Sequence, residues 1–110
     1  MGSRSNLGEF EQLALLAILR LGQNAYGTTI REAIEHATSR VVAIGALYTT
    51  LDRLERKGFV QSESGEPTPE RGGRAKRYFT LTSSGELLLR KSLEALRALS
   101  LDFQFQGERI

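Results

Sequence analysis

The third of four predicted helices, over residues 44–57, carries side chains whose chemistry and spacing could read the edges of DNA bases. Thr49, Thr50 and Arg53 fall on one helical face, opposite Leu47, Leu51 and Leu54. Arginine can bond the O6 and N7 atoms of guanine with two hydrogen bonds, and threonine can contact several base edges. These three residues are therefore candidate base contacts, and the alternative is an ordinary solvated helix face.

A cluster of cations follows at residues 71–77, without an acid among them. Arg71, Arg74, Lys76 and Arg77 could bind phosphates or enter the minor groove, and Lys57 at the end of the third helix could join them. Alternate strand residues face opposite sides, so Lys76 and Arg77 cannot approach DNA in the same way. A charged loop without a partner is the alternative. Tyr48 could reach a phosphate through its hydroxyl or pack beside the leucines, and both remain open.

The sequence offers no catalytic or metal-binding constellation. It has no cysteine, and its single histidine, His36, lies on the polar side of a predicted helix. Asp52 and Glu55 flank Arg53 and are not a catalytic carboxylate pair. We therefore expect no enzyme activity, no cofactor and no metal.

Composition predicts one domain and a cytoplasmic location. The chain has 110 residues, 40% of them hydrophobic and 25% charged, with a formal net charge of +2. Its start lacks the pattern of a cleaved leader, and the apolar run 13–19 is too short to span a bilayer. Membrane association is not expected.

Capping residues and apolar stripes delimit four helices and two strands. The first helix is predicted to begin near Asn6, where Asn6 and Glu9 are spaced as a capping box, and to end at Gly22. The second and third helices are predicted over 26–38 and 44–57, and the two strands over 59–64 and 76–81. The fourth helix is predicted to extend to about residue 101. It is capped by Thr82 or Ser83, and Ser83 and Glu86 are spaced as a capping box.

This order predicts a mainly α fold with a small β-wing, namely a winged helix-turn-helix with an added C-terminal dimerisation helix. We expect a disordered N-terminus over 1–6, a DNA-binding domain over 7–82, the dimerisation helix over 83–104 and a flexible tail over 105–110.

The first and last helices carry more apolar side chains than one small core can surround. A second copy of the chain would cover the surplus, and the interface is either filled or leaves a cavity for an aromatic or lipophilic effector. The interface candidates are Phe10, Leu13, Leu16, Ala17, Leu89, Leu93, Leu96, Leu99 and Phe103.

Several motifs resemble the PadR family of transcriptional regulators. They are Tyr26-Gly27 with Ile30, the stretch Gly45-Ala-Leu-Tyr48 with Arg53-Leu-Glu55 and Lys57-Gly-Phe-Val60, and residues 73–82 with Gly85. The resemblance covers roughly residues 8–100 and favours the compact subfamily with one C-terminal helix. It implies a homodimeric DNA-binding repressor, in some members released by a small molecule.

Two departures from the family pattern bear on function. Ala43 stands where members often have serine, which removes an N-cap worth roughly 1 kcal/mol. The chain also lacks tryptophan, on which some compact members stack planar drugs.

Two function hypotheses follow. The first is a repressor whose paired recognition helices enter successive major grooves of a palindromic operator. The alternative is a winged-helix protein-interaction module without DNA binding, which Ala43 and the acids Glu63, Glu66 and Glu70 near the wing would suit.

Overall fold

The computed structural model describes residues 7–65 and 76–101. Its elements are α1 (Glu9–Leu21), a 3-10 turn (Gly22–Asn24), α2 (Gly27–Thr38), α3 (Ile44–Arg56), β1 (Val60–Ser64), β2 (Arg77–Leu81) and α4 (Ser83–Ser100). The predicted fold class, mainly α with a small β-wing, is confirmed. The predicted disordered N-terminus, the end of the dimerisation helix and the flexible tail lie outside the described residues. None of the helices in the described ranges has the length and apolar character that a membrane span requires.

The helix starts differ from the predicted capping boxes. α1 begins at Glu9 with Gly8 as its N-cap, so the prediction of a start at Asn6 is wrong. Glu11, at the third helical position, accepts a hydrogen bond from the Gly8 backbone N–H (2.9 Å). At α4, the Thr82 hydroxyl oxygen accepts from the Gly85 N–H (3.0 Å), so Thr82 is the cap and the box from Ser83 does not form.

α1 forms the centre of the domain and packs against α2, α3, α4 and β2. The core side chains include Leu15, Ile18, Ile30, Ile34, Leu47, Leu51, Leu54, Val60, Phe79 and Leu89. Burial of such a side chain is worth about 1.5–3 kcal/mol, so this cluster accounts for the arrangement of the helices. Ala17 and Leu89, predicted at a dimer interface, are buried within the protomer. Leu89 packs within the core, and Ala17 lines a groove between α1 and α2, so a direct contact of either side chain with a second copy stays a prediction.

The two strands are antiparallel, with Val60 opposite Leu81 and Ser64 opposite Arg77. The free edge of β2 is partly covered by the segment before α2, because the Phe79 N–H donates to the Ala25 carbonyl (2.9 Å). Beside this bond the rings of Tyr26 and Tyr78 meet edge to face, 5.4 Å apart. The base of the wing is thus attached to the start of α2 as well as to the end of α3.

A compact junction joins the start of β1 to the end of β2 and the start of α4. Gly58 has a positive φ of 86°, and its carbonyl accepts a bond from the Thr82 hydroxyl (2.6 Å). The Thr82 N–H donates to the Phe59 carbonyl (3.0 Å). Gly85 lies against the same carbonyl, and a Cβ atom at position 85 would stand 2.9 Å from the Phe59 carbonyl carbon. The backbones are therefore too close for any side chain there.

Candidate nucleic-acid interface

The exposed face of α3 runs along Gly45, Thr49, Asp52 and Arg56, at the i, i+4, i+7, i+11 spacing of one helical stripe. Thr49 lies on it, as predicted. Thr50 is only 5% exposed and belongs to the inward face, so its assignment as a base contact is wrong. The inward face is wider than the three leucines suggest, because α3 contacts both α1 and α2.

Arg53 and Lys57 are held on the α1 side of α3 by one carboxylate. The Arg53 Nε–H donates to Glu11 Oε2 (3.0 Å), and the Lys57 ammonium lies 3.4 Å from the same oxygen. The Glu11 side chain is 8% exposed, whereas those of Arg53 and Lys57 are 39% and 37% exposed. The guanidinium of Arg53 is therefore paired within the protein, and its contact with a base stays a prediction.

The charge state of Glu11 is fixed by its partners. Burial raises the pKa of this carboxyl, but the Gly8 N–H, the Arg53 guanidinium and the Lys57 ammonium together lower it below its ordinary value of 4.5. Glu11 is therefore ionised at neutral pH, and it links the first turn of α1 to the second half of α3.

Arg77 fastens the wing to α3. Its Nη2 lies 2.7 Å from Glu55 Oε1 and 3.0 Å from Asp52 Oδ1, and its Nε–H donates to the Ser62 hydroxyl oxygen (3.2 Å). Its guanidinium lies over the Phe79 ring, 4.8 Å from the ring centroid. The guanidinium of this arginine is thus engaged with protein groups, and its predicted contact with phosphate stays a prediction.

This pairing is also visible in the pKa values of Glu55 and Arg77. The hydrogen bond from Arg77 lowers the pKa of Glu55, against a smaller opposing effect of burial. Burial lowers the pKa of Arg77, but the hydrogen bonds and charges of Glu55 and Asp52 outweigh it and raise that pKa above its ordinary value. Glu55 and Arg77 are therefore charged at neutral pH, and Arg77 lies close enough to both acids of α3 to compensate them.

Lys76 faces the other way, as the alternation of strand residues predicts. Its ammonium lies over the Tyr26 ring, 5.0 Å from the centroid, at the side of the wing next to α2. The predicted contacts Arg71 and Arg74 lie outside the described residues.

Tyr48 is half-buried and packs on the start of α2. A Cβ atom at position 27 would lie 2.7 Å from Tyr48 Cζ and overlap the phenol oxygen, so glycine is required there for the two helices to approach. Of the two alternatives that the sequence leaves open, the packing role is the one with observed contacts.

Two further arginines were not among the predicted DNA contacts. Arg56 is exposed at the end of the α3 stripe and forms no ion pair within residues 7–65 and 76–101. Its spacing from Thr49 and Asp52 was the available signal. Arg31 on α2 has a buried Nε with no hydrogen-bond partner among the described residues, and the sequence alone left it between a phosphate contact and a solvated face.

A second surface of interest is apolar and lies on α1 and α4. Of the predicted interface residues, Leu16, Leu96 and Leu99 are exposed, while Phe10, Leu13 and Leu93 are half-buried against the core; Phe103 lies outside the described residues. A groove of about 500 Å³ opens between α1 and α2 and is lined by Leu13, Leu16, Ala17, Leu19, Arg20, Ala33, Ile34 and Ala37.

The residues that the structure describes contain no group of His, Cys, Asp and Glu that could hold a metal ion.

A recognition helix with one exposed face, preceded by a shorter helix and braced by a two-stranded wing, defines a winged helix-turn-helix protein of the DNA-binding class. Residues 15–91 match the transcriptional regulator PadR-like family, which is more than half of the chain. The chain therefore belongs to the PadR family and is a DNA-binding transcription regulator, not an enzyme.

Solved structures agree with this assignment. A PadR-like transcription factor from Bacteroides fragilis is 26% identical, with a TM-score of 0.67 over 88% of this chain and 86% of that one. A Streptococcus transcriptional regulator is 23% identical, with a TM-score of 0.67 over 83% and 84% of the two chains. RosR from H. salinarum is 22% identical, with a TM-score of 0.69 over 90% of this chain and 82% of that one. The Streptococcus regulator and RosR share the fold of this chain. No curated protein matches the chain.

Proposed function

We propose that this protein is a cytoplasmic homodimer that represses transcription by binding a palindromic operator, and that a small lipophilic or aromatic effector releases it. In each protomer the exposed face of α3 would enter the major groove. The wing and the cations around it would contact the flanking phosphates. The two-fold axis of the dimer would place two recognition helices about one helical turn apart, which calls for an inverted repeat in the DNA.

The observation that supports a homodimer is that the rest of the protomer does not cover the second half of α4. Leu89 and Leu93 face the protomer core, but every residue from Glu94 to Leu101 is exposed. Leu96 is 56% exposed and Leu99 86% exposed on this half. Two exposed leucines on a projecting helix favour burial against another apolar surface, and the exposed interface candidates Leu16, Leu96 and Leu99 of a second copy supply one.

The oligomeric state can be measured directly by light scattering after size exclusion. The variant Leu96→Ser/Leu99→Ser should shift the protein to monomer, because it removes apolar surface that the second copy would bury. Val41→Ser is the matched control, since Val41 is exposed but belongs to the segment before α3. A double variant that stays dimeric would contradict the α4 interface.

Operator binding is tested by fluorescence anisotropy with DNA from upstream of the gene and with random duplex, across a salt series. Specific complexes are typically at least 10³-fold tighter than non-specific ones, and affinity falls as salt rises. We expect two protomers per operator. Repression is then measured with a reporter gene placed behind that operator.

The groove between α1 and α2 supports the effector part of the proposal. Its lining is apolar apart from Arg20, and its volume of about 500 Å³ lies in the range of small-molecule sites. Planar aromatic compounds should lower operator affinity in the anisotropy assay. Ala37→Phe, which places a ring in the groove, should abolish that release while operator binding persists.

The alternative, a protein-interaction module without DNA binding, has less support. Asp52 and Glu55 on α3 are compensated by Arg77, so the side of α3 next to the wing is not a negative surface. Of the acids that favour the alternative, Glu63 is exposed on β1, and Glu66 and Glu70 lie outside the described residues. Absence of any salt-dependent duplex affinity, with a protein partner bound instead, would favour this alternative.

A further inference from the structure

The start of α3 presents an apolar surface where a recognition helix usually offers hydrogen-bonding side chains. Val41 is 95% exposed and Ile44 is 39% exposed, and Ala43 and Ala46 beside them are exposed too. We refer to these four residues as the apolar tip. Val41 lies in the short segment between α2 and α3, and Ile44 is the first residue of the helix.

Thr49, one turn further along, extends this character. Its hydroxyl donates to the Gly45 carbonyl within the helix (3.0 Å). This bond occupies the hydroxyl proton of Thr49 within the helix, so Thr49 offers no free donor to a base edge. The exposed face of the first turns of α3 thus has aliphatic side chains and few hydrogen-bond donors.

The polar side chains that might read bases from the same helix are otherwise engaged. Thr50 is buried, and Arg53 is bonded to Glu11. Asp52 pairs with Arg77, and Arg56 lies at the far end of the helix. Hydrogen bonds to base edges therefore have few donors near the tip.

We propose that the apolar tip reads thymine 5-methyl groups in the major groove. This inference rests on the proposed operator binding and names what the site recognises. Thymine is the one base that presents a methyl group in the major groove, and aliphatic side chains discriminate it by apolar contact. DNA is the occupant because the tip is continuous with the exposed α3 stripe of a DNA-binding regulator, whose far end carries Arg56.

When the thymine methyl group contacts Val41 and Ile44, water is excluded from both surfaces. This burial is the source of the affinity. The transfer free energy of one methyl-sized group corresponds to about a fourfold change in affinity. The operator half-site should accordingly hold thymines at the positions that the tip faces. A 5-methylcytosine carries the same methyl group at the same ring position.

The experiment uses the full chain and an operator obtained by selection from a random duplex pool. Each thymidine is replaced in turn by deoxyuridine, which lacks only the methyl group, and the dissociation constant is measured at fixed salt. At the thymidines that face the tip we expect about a fourfold loss per methyl. Val41→Ala and Ile44→Ala should weaken binding to the thymidine operator and bring the ratio between thymidine and deoxyuridine operators close to one. Leu87→Ala on α4 is the control, and it should keep the full ratio.

Three results would overturn the inference, and they are distinguishable. Selective binding that is unchanged by every deoxyuridine would refute methyl readout and leave operator binding intact. An equal deoxyuridine effect in the wild type and the tip variants would assign it to the DNA itself. Absence of selective, salt-dependent duplex binding would refute the proposed function and, with it, the inference.

Discussion

Replacing Glu11 by glutamine would remove the carboxylate that joins the first turn of α1 to α3. Glutamine has nearly the same shape and can still accept a hydrogen bond from the Gly8 N–H. It cannot neutralise Arg53 and Lys57, which lie 3.0 and 3.4 Å from the carboxylate oxygen in the wild type. The substitution therefore isolates the ionic part of the contact between the two helices.

The expected loss can be estimated from the burial of the three groups. Hydrogen bonds to charged groups contribute roughly 1.5–3 kcal/mol each, and the Glu11 side chain is 8% exposed. Arg53 and Lys57 are more than a third exposed, so solvent screens their share and both remain partly hydrated after the substitution. We therefore expect E11Q to lower the free energy of unfolding by about 1–2 kcal/mol at pH 7.

The loss of stability caused by E11Q should become smaller as the pH falls. Because the pKa of Glu11 is lowered in the folded protein, its contribution to stability is present above the ordinary value of 4.5 and is lost as the pH falls through the folded pKa. The difference between wild type and E11Q should thus be constant near neutrality and shrink below about pH 4.5. Chemical denaturation at matched protomer concentration measures it, and each kcal/mol corresponds to roughly 4–8 °C in Tm.

Glu9 supplies the matched control on the same helix turn. Its carboxylate pairs with Arg40 at 2.7 Å, but the side chain is 72% exposed, so E9Q should cost at most a few tenths of a kcal/mol. Equal losses in E9Q and E11Q, or a loss in E11Q that persists unchanged at acidic pH, would refute the reasoning.

Other contacts give expectations of the same kind. Arg77→Ala should release the wing from α3 and weaken binding to specific and random duplex alike, measured by anisotropy, with circular dichroism to confirm folding. Gly85→Ala should lower Tm by more than 10 °C or prevent folding, because its Cβ meets the Phe59 backbone, which cannot turn away as a side chain can. Arg56→Ala should lower the slope of operator affinity against salt by about one counterion, whereas Lys91→Ala on α4 should leave it unchanged.

The helices and strands could be predicted from the sequence because the signals that set them are local. Gly22 ends α1 with a φ of 60°, and Thr82 caps α4, as the residue types indicate. The apolar stripe of α2 likewise corresponds to its buried residues Ile30 and Ile34. These features depend on neighbours within a few positions along the chain.

The candidate nucleic-acid interface was harder to predict because it depends on how the helices lie beside one another. On a helical wheel of α3, Thr50 lies beside Leu47 and Leu54, at the border of the apolar stripe, and the neighbouring helices bury it. Arg53 lies further round the helix, and the position of α1 brings it to Glu11. A signal existed in α1: Glu11 shares a stripe with the buried Leu15 and Ile18, and an acid on an apolar stripe predicts a cationic partner. Which cation it meets is a property of the tertiary structure.

The junction at Gly58 and Thr82 closes the chain on itself, since the two residues are hydrogen-bonded although 24 positions apart. Both strands of the wing lie between these two residues. Residues can therefore be inserted or deleted between the strands without moving α4 relative to α3, at a cost that grows only slowly with loop length. The length of the segment between the strands can consequently be altered independently of the position of α4 relative to α3, by evolution or by engineering.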